Sequence, residues 1–164
     1  MALLTSARRS GSQRLRSFTL AELRALPSRT QITRHDCVEG WSAIGKWKGA
    51  RLSAVLNEVG LKPGVRYLVF HCADPMEQDG SGFYRESIDL EDAFHEQTLL
   101  ACELNGQPLP IANGAAIRLR VERQLGYKMA KYVMRIELVD GFERIRGGKG
   151  GYWEDLGYQW YAGI

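Results

Sequence analysis

Three groups of residues in this chain could do chemistry. The first is the thiol of Cys37, which follows Arg34-His35-Asp36 and precedes Val38-Glu39-Gly40-Trp41-Ser42. A cationic neighbour would favour the thiolate, the form that binds metals and attacks carbon. The plain alternative is a small buried hydrophobe, a common fate of a free cysteine. The second group is a basic run. Between Ala116 and Arg135 lie Arg118, Arg120, Arg123, Lys128, Lys131 and Arg135 against the single acid Glu122, with Gly126-Tyr-Lys-Met-Ala-Lys131 in the middle. Gly126 permits close backbone approach, and Lys128 with Lys131 could neutralise a phosphate. A solvated edge strand guarded by its charges accounts for the same residues. The third group is a scatter of soft or borderline ligands: His35, Cys37, His71, Cys72, His95 and Cys102. Their spacing argues against zinc, because neighbours on a strand point to opposite faces and structural zinc sites use close spacings on turns. A cysteine hydrolase with Cys37 as nucleophile and His71 or His95 as base has the residues but no sequence signature. The glycine-rich run 147–151 lacks the spacing of a phosphate loop and reads as a turn.

Composition bounds these readings. The chain has 164 residues, 45% hydrophobic and 25% charged, the make-up of one ordinary soluble domain whose core needs no disulfide or metal staple. Its net charge of +3, from 22 basic against 19 acidic residues, is too balanced for non-specific nucleic-acid binding. Tyr127 and Tyr132 are too few to interleave with the basic run as a stacking platform. No apolar run approaches the ~20 residues that span a bilayer. Three cysteines without a C-x-x-C signal neither a disulfide framework nor a zinc ribbon. Residues 1–17 are rich in arginine and lack acids, so a disordered basic lead-in is expected, with the domain running from 18 to 164. Arg8-Arg9 is not followed by the apolar stretch an export signal needs.

The elements that must position these groups are short. Thr19-Leu-Ala-Glu22 has capping-box spacing, with Leu20, Leu23 and Leu26 on one side and Pro27 as a stop. A strand is expected over 31–38, delivering Cys37 near its end. A helix is expected through Leu52, Val55, Leu56 and Val59, capped by Gly60. Strands are expected over 65–72, 99–104, 117–121 and 133–139, a short helix near Asp89, and a hairpin turn at Asn105-Gly106. In the strand 117–121 the apolar residues alternate with Arg118 and Arg120, which implies one buried and one charged, solvated face. The aromatic tail, with Tyr152, Trp153, Tyr158, Trp160 and Tyr161, is expected to lie flat on the body. The sum is an α+β domain, a strand-rich mixed sheet with short helices and no βαβ alternation.

Taken together, Cys37-Val-Glu-Gly-Trp-Ser42, Thr98-Leu-Leu-Ala-Cys-Glu-Leu-Asn-Gly106 with Leu109-Pro110, Asn113-Gly-Ala-Ala-Ile-Arg-Leu119 and Gly126-Tyr-Lys-Met-Ala-Lys-Tyr-Val133 resemble the molybdopterin-binding domain of the sulfite oxidase superfamily. The nearest likeness is to the bacterial branch that includes the methionine-sulfoxide reductase catalytic subunit. The resemblance runs from about Phe18 to the C-terminus. It implies a molybdenum–molybdopterin (Mo-MPT) oxidoreductase acting on a small oxyanion or sulfoxide, with Cys37 as the protein ligand to molybdenum. It further implies pterin and phosphate contacts at Cys72, Asn113, Arg118, Met129, Ala130 and Lys131, Lys128 as a further phosphate partner, and Arg34 and His35 beside the metal. Electrons would pass to a separate haem or quinone-linked partner, since the chain carries no haem, flavin or nicotinamide fingerprint, and the family implies a periplasmic location. Ala116 stands where relatives usually carry proline. Relatives also carry an upstream segment that closes part of the pocket and that residues 1–17 do not resemble; the expectations are an incomplete cofactor site or, alternatively, a non-catalytic or truncated pterin- or anion-binding module.

Overall fold

Thr19 opens the first helix as its spacing with Glu22 requires. The Glu22 amide donates to the Thr19 hydroxyl (3.2 Å), and the Thr19 amide donates back to the Glu22 carboxylate (2.7 Å). The computed structural model describes the backbone of residues 2–5 and, with side chains, residues 13–79 and 82–164. In chain order the first elements are β1 (Ala2–Thr5), β2 (Arg16–Thr19), α1 (Leu20–Ala25), β3 (Ser28–Asp36), β4 (Ser42–Arg51), α2 (Leu52–Val59) and β5 (Tyr67–Pro75). They are followed by β6 (Phe83–Asp89), α3 (Leu90–Phe94), β7 (Leu99–Leu104), β8 (Gln107–Pro108), β9 (Arg118–Arg120), β10 (Val133–Val139) and α4 (Tyr152–Asp155).

Two sheets result. The first has the order β2-β1-β10-β5-β6, in which only the β1–β10 pair is parallel. The second has the order β3-β4-β7-β8, antiparallel throughout, and β9 also pairs with β7. Phe18, Leu68, Phe70, Ile136 and Leu138 from the first sheet join Leu100 and Leu119 from the second in one buried cluster. The helical spacing of Leu52, Val55, Leu56 and Val59 places all four in that cluster, none more than 1% exposed. Each such side chain contributes about 1.5–3 kcal/mol on burial. This is the strand-rich α+β domain expected.

The hairpin turn also forms. Asn105 and Gly106 take φ of 54° and 80°, the left-handed pair that a two-residue turn between twisted strands demands. The aromatic tail folds back, and Tyr152 and Trp153 pack against the main core.

Two expectations need correction. Residues 2–5 and 16–17 are not a loose lead-in: β1 lies between β2 and β10 and pairs with both, because its backbone donors and acceptors complete an otherwise open sheet edge. Residues 6–12 lie outside the described residues. In β9 both faces are inside. Arg118 is 6% and Arg120 0% exposed, so the alternation that pointed to a solvated charged face instead lines an interior with guanidinium groups.

Candidate cofactor-binding site

The β3–β4 hairpin carries the thiol. Cys37 begins its turn, donating from its amide to the Trp41 carbonyl (2.9 Å) and accepting at its carbonyl from the Gly40 amide (3.0 Å). Gly40 sits at φ 87°, which favours glycine there. Asp36, just before, accepts from the Ser42 hydroxyl (2.6 Å) and lies 2.9 Å from the Arg34 guanidinium. The hydroxyl, helped by Arg34, holds this carboxyl below its ordinary range. The hairpin end is thus fixed from both strands, and the half-buried thiol faces a cavity of about 530 Å³.

Six of the ten residues proposed from sequence line this cavity: His35, Cys37, Asn113, Arg118, Met129 and Lys131. Arg118 forms its floor. Its guanidinium donates to the Asn113 carbonyl (3.1 Å) and the Met129 carbonyl (3.4 Å), and it stacks over Trp47 at 5.0 Å. Its Nε is buried without a partner. Burial, and then the neighbouring Arg120, push its pKa down to about 10. Lys131 reaches the Ala112 carbonyl at 3.5 Å and lies 5.1 Å over the Tyr132 ring. Neither cation has a carboxylate partner among the described residues. Gly114 lets the two approach: at φ 104°, a Cβ there would lie 2.9 Å from the Lys131 Cβ and 3.2 Å from the Arg118 Cβ.

His35 faces the same cavity. Burial, and then Arg120, push its imidazole down to about 4, so it is neutral at physiological pH. Gly126 does permit a close approach, but of this ring: a Cβ would stand 2.6 Å from His35 Nε2.

The other four residues lie elsewhere. Arg34 is mostly exposed and tied to Asp36. Cys72 is 5% exposed in the main core, where burial pushes its thiol far up and keeps it protonated. Ala130 is buried beside Leu119, whose amide donates to its carbonyl. Lys128 is a correction, because its ammonium is fully buried and held by Glu86 at 2.5 Å and Glu154 at 2.6 Å, leaving it no reach into the cavity. Burial pushes the Glu86 carboxyl well above its ordinary range against the pull of Lys128, and Glu154 pushes it the same way.

Several walls escaped sequence reasoning. Trp47 lies in a strand not expected, Tyr84 in another, and Trp153 and Tyr158 belong to the tail whose docking was expected but whose role in the cavity was not. Arg120, fully buried, was assigned to solvent; the unusual density of arginine on a three-residue strand was the one signal available.

A strand-rich α+β frame thus brings a half-buried thiol and two cations without an ion-pair partner among the described residues to one cavity. The chain belongs to the oxidoreductase molybdopterin binding domain family, whose profile matches residues 10–144. It is 43% identical over 147 residues to a putative protein-methionine-sulfoxide reductase subunit of Azospira oryzae, covering 90% of this chain and 51% of that protein. It is 37% identical over 132 residues to a protein-methionine-sulfoxide reductase catalytic subunit of Xanthomonas axonopodis, covering 76% of this chain and 41% of that one. The crystal structure of the sulfane dehydrogenase SoxCD from Paracoccus pantotrophus shares the fold, with a TM-score of 0.76 at 22% identity over 89% of this chain and 40% of that one. The chain thus spans about half the length of the curated relatives it matches.

Proposed function

We propose that this domain holds a molybdenum–molybdopterin cofactor, with Cys37 as the protein ligand to the metal, and serves an oxidoreductase acting on a small sulfoxide or oxyanion. The observation that carries the reading is the joint placement, in one cavity, of a half-buried thiol and two cations without an ion-pair partner among the described residues. The residues fit the group. A pterin phosphate would supply the anion that Arg118 and Lys131 lack, and the buried, unpartnered Nε of Arg118 is a donor awaiting an acceptor. A thiolate is a soft ligand suited to a metal already bound by dithiolene sulfurs. When bound, the cofactor supplies two-electron redox chemistry coupled to transfer of an oxygen atom.

The chain's own residues bind, orient and exclude water. Arg118 and Lys131 neutralise the phosphate, Asn113 contributes an amide to the same wall, and Met129 closes the cavity behind His35. Tyr84, Trp153 and Tyr158 provide an aromatic wall that suits a thioether or sulfoxide. Electrons come from or go to a separate redox partner, and the family likeness supports a periplasmic location. No helix among the described residues is long and apolar enough to cross a membrane.

Metal and pterin analysis of protein made in a cofactor-competent host tests this. Molybdenum and pterin should co-purify with the wild type. Arg118→Met should lower retention of the cofactor about tenfold or more, since losing a charged hydrogen bond removes about 1.5–3 kcal/mol. A wild type without molybdenum, or an Arg118→Met variant that retains the cofactor as fully, would overturn the reading.

A further inference from the structure

We infer that Arg120 is a positioning residue: by donating to His35 Nδ1 it fixes the imidazole as its Nε2–H tautomer, making His35 a hydrogen-bond donor into the cavity for an oxygen atom of a ligand. The geometry begins at Gln31, whose amide nitrogen donates to Glu122 (2.8 Å). Glu122 holds the Arg120 guanidinium in two places, Nε at 2.9 Å and Nη2 at 2.6 Å. The guanidinium also lies 4.4 Å over Trp47 and is fully buried, so it cannot swing away. Its remaining arm, Nη1, lies 2.8 Å from His35 Nδ1.

An arginine carries donors only. A contact of 2.8 Å is therefore a hydrogen bond only if Nδ1 offers its lone pair, and an imidazole whose Nδ1 is unprotonated carries its N–H on Nε2. The competing partner of Nδ1 is the Met129 sulfur at 3.2 Å, a weak acceptor. Choosing it would require a proton on Nδ1 and would set two donors head-on. The charged donor prevails, and the sulfur is left as a packing contact.

Nε2 has no protein partner among the described residues. The ring edge bearing it passes over Gly126, where no Cβ blocks it, and the ring lines the cavity with Cys37, two residues on. Such a donor selects acceptors, the oxygen of a sulfoxide or oxyanion, over a bare thioether. The ligand half of this inference rests on the function proposed above; the tautomer does not.

Two-bond nitrogen–proton correlation spectra of the full chain, labelled at its three histidines, test both halves. The expected wild-type spectrum has a pyridine-type Nδ1 and a pyrrole-type Nε2 for His35. In Arg120→Met the pattern should switch to Nδ1–H or to a mixture of tautomers. Added dimethyl sulfoxide should shift the His35 Nε2–H signal, whereas dimethyl sulfide, lacking the oxygen, should not. A wild-type Nδ1–H tautomer, or an Arg120→Met spectrum like that of the wild type, overturns the positioning role; the wild-type spectrum decides the tautomer even if the variant fails to fold. Equal responses to the two sulfur probes overturn the ligand assignment. A protein that lacks molybdenum yet shows the Nε2–H tautomer removes the proposed function and leaves Arg120's role standing.

Discussion

Lys128 and Arg118 are both buried cations in the same basic run, yet they do opposite work. Lys128 is matched by two carboxylates and fastens the turn after Leu125 to β6 and to the C-terminal helix. Arg118 donates to two carbonyls, stacks over Trp47 and forms no ion pair among the described residues. Lys128→Met should therefore cost about 3–5 kcal/mol in urea unfolding, because it strands two buried carboxylates. A phosphate ligand would instead show an unchanged midpoint and a weaker cofactor. Glu137 gives a pH signature. It is held below its ordinary value of 4.5 chiefly by the His71 hydrogen bond, with Arg135 adding to the effect. A carboxyl with a depressed folded value stabilises the fold fully above about pH 4.5 and loses that contribution as pH falls through the folded value. Glu137→Gln should thus be less stable than the wild type by about 1 kcal/mol at pH 7. Denaturant titrations of the two proteins should converge as the medium is acidified.

At the scale of elements, the fold was legible wherever a local rule decides. The capping box at Thr19, the helical spacing of α2 and the Asn105-Gly106 turn are set by neighbours in sequence, and all three form. β4 was missed because its interior is Gly45, Trp47 and Gly49 rather than branched residues, and because its pairing is supplied by β3 and β7. β6 was missed because Arg85, Glu86 and Ser87 are buried there, which no hydrophobic pattern signals. β9 was placed correctly, but its arginines were turned outward, since alternation cannot say whether a charged face meets water or a cavity. The same limit governed the site. Cys37 and Lys131, singled out by motif order, line the cavity, whereas Arg120 and Trp47 become visible only once the strands pair. Gly49 offers a test of the pairing. It lies at the register shift between β4 and β7, and a Cβ there would come within 2.1 Å of the Leu100 carbonyl oxygen. Backbone cannot yield as a flexible side chain can, so Gly49→Ala should destabilise by about 1–3 kcal/mol in chemical denaturation.

For the whole molecule, the near-neutral charge conceals a sorted one. A net charge of +3 is spread over a surface laced with ion pairs, while Arg118 and Lys131, neither in an ion pair among the described residues, share one cavity with the thiol. Two sheets and a folded-back aromatic tail build that cavity, and the family likeness supplies the cofactor that would complete it. The most direct measurement is X-ray absorption at the molybdenum edge on the wild type and Cys37→Ala made in the same cofactor-competent host. The expected result is molybdenum in the wild type with a thiolate among its sulfur ligands, and a variant that has lost the metal or keeps it with one sulfur fewer. A wild type without molybdenum, or the same sulfur shell in both proteins, would contradict it.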